Sequence, residues 1–157
     1  MKIFTQEEFD ALPLNKFGGR LVPAFSDLSL IKSFGEGCSF GKFCSFGEYC
    51  SFGEGCSFGE NCSFGEYCSF GESCRFGQGC KLIGLKIINY KAVDRIGNSK
   101  QKLYCWNLEN NLYFRAGCFF GKKDELLEKV EKEYGADSEY HLAVDFLEKL
   151  ITFKVKE

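Results

Sequence analysis

The most constraining feature of this 157-residue chain is a six-residue unit that occurs eight times without interruption. From Ser33 to Cys80 the units read SFGEGC, SFGKFC, SFGEYC, SFGEGC, SFGENC, SFGEYC, SFGESC and RFGQGC. An α-helix would carry a Gly in every second turn, at a cost of roughly 1 kcal/mol each. Short strands fit better, because Cys and the Phe two residues later point to the same side, and Gly relieves the backbone at a corner. The repeat therefore predicts a β-solenoid.

In the register Cys-Ser-Phe-Gly-Glu-x, the unit resembles the hexapeptide repeat of left-handed parallel β-helices, in which three hexads form a triangular coil of 18 residues. That family usually has Leu, Ile or Val where this chain has Phe, and Ala, Val, Ser or Thr where it has Cys. SFGEGC recurs 18 residues apart, at 33–38 and 51–56, and so does SFGEYC, at 45–50 and 63–68. The recurrence supports three hexads per coil. The repeat then forms a short left-handed parallel β-helix of about 2.7 coils.

So short a solenoid exposes two edges that its flanking segments must cover. We predict an N-terminal helical cap (1–32), the hexapeptide-repeat β-helix (33–80) and a C-terminal α+β module (81–157). In the cap, Thr5-Gln6-Glu7-Glu8 has the pattern of a capping box, and a helix ends near Pro13. Val22 and Leu28 keep the phase of the repeated Phe, which indicates an imperfect coil before the regular ones.

The C-terminal module is predicted to combine strands with two helices. Strands are expected at 82–90 and 92–96, with a turn at 97–99, followed by a hairpin of 103–108 and 112–116. A helix over 124–134 stops at Gly135, and Asp137 caps a second helix. The apolar face of this second helix is expected to contain Leu142, Ala143, Phe146, Leu147 and Leu150.

The FGxxCxFG array followed by YFRAGCFFGKKDELLEKV resembles repeat proteins of bacteriophages and other mobile elements. The resemblance implies a phage or prophage origin, no known reaction, and the cytoplasm of the host cell as the location. The sequence agrees with that location, because its first residues lack a signal-peptide pattern and no apolar run approaches the ~20 residues that span a bilayer. The formal charge of −2 also gives no basic field for direct binding to nucleic acid.

The ten cysteines allow three interpretations. Zinc sites need closely spaced ligand pairs, whereas consecutive cysteines here fall on different faces of the coil. Disulfides between stacked coils would have an acceptable Cα separation but parallel Cβ vectors, and a reducing compartment disfavours them. We favour the third interpretation, in which Cys is a small buried hydrophobe beside Phe. No metal and no cofactor is expected.

Catalysis is not expected either. Acyltransferases and carbonic anhydrases that share this β-helix use a histidine within the coils, but 33–80 contains neither His nor Asp. The only histidine, His141, lies in the predicted last helix. We therefore expect a binding protein or a structural protein rather than an enzyme.

Acidic residues occupy one outward position of the repeat, and with Lys42 and Arg75 they give 33–80 a formal charge of −4. One interpretation is that Glu only keeps the surface soluble. The other is that the acidic surface resembles nucleic acid, as in pentapeptide-repeat proteins, and binds the basic groove of a host nucleic-acid enzyme or defence protein as an inhibitor. The partner-binding candidates are Glu36, Glu48, Glu54, Glu60, Glu66 and Glu72.

The variable position adds outward aromatic side chains at Phe43, Tyr49 and Tyr67. Exposed aromatic residues are enriched at interfaces, so we predict a homodimer interface there; a flat, purely structural Tyr ladder is the alternative. Two further functions stay open. The chain would be an assembly protein of a phage or mobile element, or it would capture a small anion through Arg115, Lys122 and Lys123 in a groove between coils and module.

Overall fold

A computed structural model describes residues 1–96, 101–116, 119–136 and 138–153. The chain forms two compact units, of which the first is Met1–Lys86 and the second begins at Ile87. The first unit contains eleven two-residue strands and one short helix: β1 (Lys2–Ile3), α1 (Gln6–Asp10), β2 (Leu21–Val22), β3 (Ser26–Asp27), β4 (Ser33–Phe34), β5 (Ser39–Phe40), β6 (Ser51–Phe52), β7 (Ser57–Phe58), β8 (Ser63–Phe64), β9 (Ser69–Phe70), β10 (Arg75–Phe76) and β11 (Lys81–Leu82).

The first unit is a β-solenoid of about three turns with parallel stacked strands, which confirms the predicted solenoid. Its strands pair in parallel along three stacks. One stack has the order β10-β7-β5-β2 and another the order β4-β6-β9. In the third, single bridges through Ser45 connect β3 to β8, and β8 pairs with β11. Within each stack the paired residues are 18 positions apart, as in Ser33 with Ser51.

Stacked phenylalanines fill the interior of the solenoid. Phe52 lies between Phe34 and Phe70, with ring centroids 4.8 and 5.0 Å away and nearly parallel planes. Each ring also meets rings of the other two stacks edge-on, as Phe52 does with Phe58 at 4.9 Å. Both arrangements are favourable for aromatic rings. The Phe and Cys side chains point inward as predicted, because strand alternation brings both to the buried side.

The segment before the repeat covers the N-terminal edge of the solenoid. Thr5 and Glu8 form the predicted capping box of α1. Phe9 of this helix is buried and meets Phe34 edge-on at 5.2 Å, and β1 adds a parallel strand to β3. The imperfect coil is also confirmed, since Val22 is buried and pairs with Phe40.

The solenoid register extends beyond Cys80, where the hexad pattern ends. Leu82 is buried and pairs with Phe64, so it takes the place of a repeat Phe. Ile83 and Gly84 then reverse the chain with φ of 52° and 75°, and Leu85 pairs back with Leu82. The predicted continuous strand over 82–90 is therefore wrong at its start, because the last coil uses Leu82.

The second unit has an antiparallel sheet and two helices. Its elements are β12 (Leu85–Ile96), which starts in the first unit, β13 (Gln101–Leu108), β14 (Asn111–Ala116), β15 (Phe119–Gly121), α2 (Lys123–Tyr134) and α3 (Glu139–Thr152). The hairpin of β13 and β14 is confirmed, and Glu109 and Asn110 form its turn with φ of 51° and 69°. β12 is one strand where two were expected, because it pairs with β13 across position 91. β15 was not predicted, and the turn predicted at 97–99 lies outside the described residues.

The two helices pack on the sheet to form the core of this unit. α2 ends at Gly135 as predicted, with φ of 83°. Ser138 is the N-cap residue of α3, while the predicted cap Asp137 lies outside the described residues. The predicted apolar face of α3 is wrong for three of its five residues. The helix buries Tyr140, Ala143, Val144, Leu147 and Ile151, and it leaves Leu142, Phe146 and Leu150 exposed.

Within the described ranges, no helix is long and apolar enough to span a membrane.

Candidate functional site

The outward side chains of the solenoid lie at its corners, where each hexad turns. The variable residue x follows Glu and has φ between 58° and 81° in all eight units. Its backbone N–H donates to the carbonyl oxygen at the Glu position of the next coil, at 2.8 Å from Gly37 to Glu54 and from Tyr49 to Glu66. This bond aligns successive corners, so the side chains of Glu and x form columns with a strand-to-strand spacing of ~4.8 Å.

The three columns of charged residues differ in composition. The first contains Glu36, Glu54 and Glu72, and we call it the acidic corner. The second contains Lys42, Glu60 and Gln78, so its formal charge is zero. The third contains Glu48 and Glu66. All six glutamates are exposed, and none of them forms an ion pair with another described residue. The acidic surface predicted from the repeat is therefore concentrated on two corners.

A groove of about 650 Å³ runs along the acidic corner. It is open because the x residues of this column are small: Gly37, Gly55 and Ser73. Ser39 and Ser57 line its floor, and Arg75 lies at the last coil. We call this feature the acidic groove. Its lining is polar, and carboxylates from three successive coils border it.

The loop 15–19 closes the N-terminal end of the acidic groove. Asn15 holds this loop against the first coil, because its Nδ2 donates to Gly37 O at 2.7 Å and to Ser39 Oγ at 2.9 Å. Its Oδ1 accepts from the backbone N–H of Phe17 at 2.9 Å. The Phe17 side chain remains 75% exposed at the groove, with Lys16 Nζ 5.1 Å from its ring centre. No local pattern in the sequence points to these residues, since only the tertiary structure brings the loop beside the coils.

The aromatic residues predicted at an oligomer interface occupy two different corners. Phe43 stacks on Phe25 with ring centroids 5.1 Å apart, whereas Tyr49 stacks on Tyr67 at 5.0 Å. The structure thus brings the two tyrosines together but separates them from Phe43. All four residues have φ near 60°, a conformation that costs a non-Gly residue roughly 1–2 kcal/mol.

The nine described cysteines are buried, and none of them forms a disulfide. From Cys56 to Cys80 the thiols of the coils donate to Gly carbonyl oxygens 21 positions earlier, for example from Cys56 to Gly35 at 3.3 Å and from Cys80 to Gly59 at 3.2 Å. Neighbouring thiols of the same column, Cys38 and Cys74, raise the pKa of Cys56, and burial raises it further. The arrangement agrees with cysteine as a packing residue. The described residues contain no group of three or more His, Cys, Asp or Glu that would hold a metal ion.

The residues predicted to bind an anion lie in the second unit. The Arg115 guanidinium is 5.6 Å from the ring centre of Tyr104. Lys122 precedes α2, and its backbone N–H donates to Glu125 at 3.2 Å. Lys123 forms ion pairs with Glu148 at 3.1 Å and Asp145 at 3.6 Å. The hydrogen bond to Glu148 is the main cause that raises the pKa of Lys123. The anion site stays a prediction, and Lys123 already has two carboxylate partners.

The only histidine, His141, is in α3. Its Nδ1 lies 3.1 Å from Ser138 Oγ and its Nε2 lies 3.3 Å from Glu131.

Comparisons with protein-family models, with curated proteins and with solved structures give no match to this chain.

Proposed function

We propose that this chain is a non-catalytic binding protein whose acidic groove binds a positively charged surface of a protein partner. In this proposal the solenoid is a left-handed β-helix with three hexads per coil. The 18-residue spacing of its strand pairs supports that coil length, and the resemblance of the hexad supports the handedness. The resemblance of the repeat and tail to phage and mobile-element proteins supports a phage origin.

The observation that carries the proposal is the column of Glu36, Glu54 and Glu72. Like charges at neighbouring positions of adjacent strands repel each other, and none of these three carboxylates has an ion pair among the described residues. Solubility alone does not need three stacked charges beside an open groove. A partner with Lys or Arg side chains would relieve the repulsion and fill the groove.

A basic partner of this kind normally binds the phosphates of nucleic acid. A row of carboxylates on a rigid scaffold presents a comparable negative field, so the protein would compete with nucleic acid for the same groove. We therefore propose that the partner is a host nucleic-acid enzyme or a defence protein, and that binding inhibits it.

The test is binding of the purified protein to a panel of nucleases and other nucleic-acid enzymes across a salt series, with duplex DNA as competitor. The variant with Glu36→Gln, Glu54→Gln and Glu72→Gln should lose most of its affinity and show a weaker salt dependence. A matched control, Glu128→Gln with Glu131→Gln and Glu133→Gln on α2, removes the same charge from the second unit.

The expected result is that the control binds as the wild type does and that DNA displaces both. Equal loss in the two triple variants would mean that only net charge matters. Unchanged binding after all six repeat glutamates become Gln would refute the proposal.

A further inference from the structure

Helix α3 is apolar on two of its faces. The inner face packs against β13 and α2, and Val144 and Leu147 are completely buried there. The other face contains Leu142, Phe146 and Leu150, four residues apart along the helix. We call these three residues the outer face of α3. A contiguous apolar face is normally covered, and the described residues of the second unit cover only the inner face of α3.

The outer face is a continuous apolar stripe rather than three scattered residues. At 100° per residue its three side chains fall within about 80° of one another and extend over ~12 Å of helix. They are 75%, 55% and 41% exposed, in chain order. Phe153 follows the helix and is 71% exposed. Together these side chains expose roughly 400 Å² of apolar surface, which is in the range of functional patches.

Charged residues border the stripe along one side and, at the exposed Glu139, at its N-terminal end. Asp145 and Lys149 lie on the flank away from the inner face, and both are exposed. Asp145 lies 3.6 Å from Nζ of Lys123. Lys149 has no ion pair among the described residues. If two α3 helices pack antiparallel about Phe146, Asp145 of each copy comes beside Lys149 of the other. The flank is therefore complementary to itself in charge.

From the apolar stripe and this self-complementary flank, we propose that α3 forms a twofold interface with a second copy of this chain. Leu142 of one helix contacts Leu150 of the other, and the two Phe146 rings meet at the axis, as in antiparallel ridge-and-groove packing. The apolar stripe supplies about half of the ~800 Å² per partner that a standard interface buries. The dimer is accordingly weak and depends on concentration. This inference does not rest on the proposed function.

The proposal places self-association on α3 and not on the aromatic corners of the solenoid. The rings of Tyr49 and Tyr67 already stack on each other, and the ring of Phe43 stacks on that of Phe25. Among the described residues of the second unit, none stacks on the outer face of α3 in this way.

Sedimentation equilibrium over a concentration series tests the proposal directly. The wild type should show a monomer–dimer equilibrium. Phe146→Gln should raise the dissociation constant by about tenfold or more, because it replaces the central apolar contact. The matched control is Tyr49→Ser with Tyr67→Ser, which should leave the dissociation constant unchanged. Circular dichroism of each variant verifies that it is folded.

A charge exchange distinguishes a contact between copies from an indirect effect. Asp145→Lys alone and Lys149→Glu alone each place like charges across the axis, so each should weaken dimerisation. A mixture of the two variants should form a heterodimer at least as readily as the wild type forms its homodimer, because both pairs are then of opposite charge. Wild type that stays monomeric, a Tyr49/Tyr67 variant that loses association, or a mixture that fails to pair would each overturn the proposal.

Discussion

The two units of this protein obtain their structure from different kinds of contact. In the solenoid, two-residue strands pair with strands 18 positions away, and each Phe ring packs on the same residue type in the next coil. In the second unit, neighbouring strands of the chain pair antiparallel, and α2 and α3 cover one core of mixed composition. The environment of a solenoid residue thus depends on its position in the hexad and on whether a coil lies beneath it. In the second unit it depends on which helix face meets the sheet.

The largest test of this contrast is in α3. Leu147 is completely buried, whereas Leu142 is 75% exposed, although both were predicted on one apolar face. Leu147→Ala should lower the free energy of unfolding by about 2–5 kcal/mol, because it leaves a cavity in the core. Leu142→Ala should change it by less than about 0.5 kcal/mol at protein concentrations too low for association.

Fluorescence of the single tryptophan, Trp106, reports denaturant unfolding of the second unit in both variants. Similar losses of stability would mean that α3 buries both faces in solution.

The second test examines the effect of a coil beneath a given position. Gly35 and Gly53 occupy the same place in the hexad. A Cβ at Gly53 would lie 2.7 Å from the backbone nitrogen of Glu36, while a Cβ at Gly35 would have no atom within 4 Å. Gly53→Ala should destabilise the first unit by about 1–3 kcal/mol through overpacking. Gly35→Ala is the control and should be nearly neutral by thermal unfolding. Equal effects would contradict the observed close stacking of the coils.

The third test concerns the corners. Ser73 and Gly55 are equivalent residues of the acidic corner, with φ of 61° and 69°. Ser73→Gly should stabilise the first unit by up to about 1 kcal/mol, since Gly adopts positive φ without steric cost. Gly55→Ser should destabilise it by a similar amount. Thermal unfolding of both variants checks the signs, and two changes of the same sign would show that strain at the corner does not decide stability.

The smallest effect is expected at the N-terminal cap. Hydrogen bonds from Lys2 and from the Thr5 backbone lower the pKa of Glu8 in the folded state. The stabilisation is therefore present above the unfolded pKa and is lost as the pH falls through the folded pKa. In the Glu8→Gln variant the melting temperature should fall less steeply than in the wild type as the pH decreases below about 4.5. Glu7→Gln removes the same charge from the same turn and should keep the wild-type pH profile; a flattened profile in that control would exclude the capping interaction as the cause.

The solenoid was largely predictable because equivalent positions of successive coils have similar residues and similar neighbours. Phe and Cys recur two residues apart, so strand alternation alone puts both inside. The recurrence of SFGEYC after 18 residues matches the spacing of the strand pairs. The capping box of Thr5 and Glu8 and the hairpin around Glu109 and Asn110 were predictable for a similar reason, since each depends on a few adjacent residues.

The candidate site was only partly predictable. The outward Glu positions follow from the repeat, and the 18-residue recurrence also aligns the small x residues Gly37, Gly55 and Ser73. The end of the groove was not predictable, because Asn15 holds Lys16 and Phe17 there through bonds to residues more than 20 positions away. The sequence contains no local signal for that contact.

The sequence by itself therefore determined the 18-residue spacing of the paired strands, the inward Phe and Cys and the outward carboxylates. Each of these follows from the two-residue alternation of a strand and an uninterrupted repeat. Only the tertiary structure decided that Leu82 completes the last coil and that α3 turns Leu147 inward and Phe146 outward. The physical reason is that α3 has two apolar faces of similar hydrophobicity. Hydrophobic periodicity cannot choose between them, and the shape of the sheet and of α2 makes that choice.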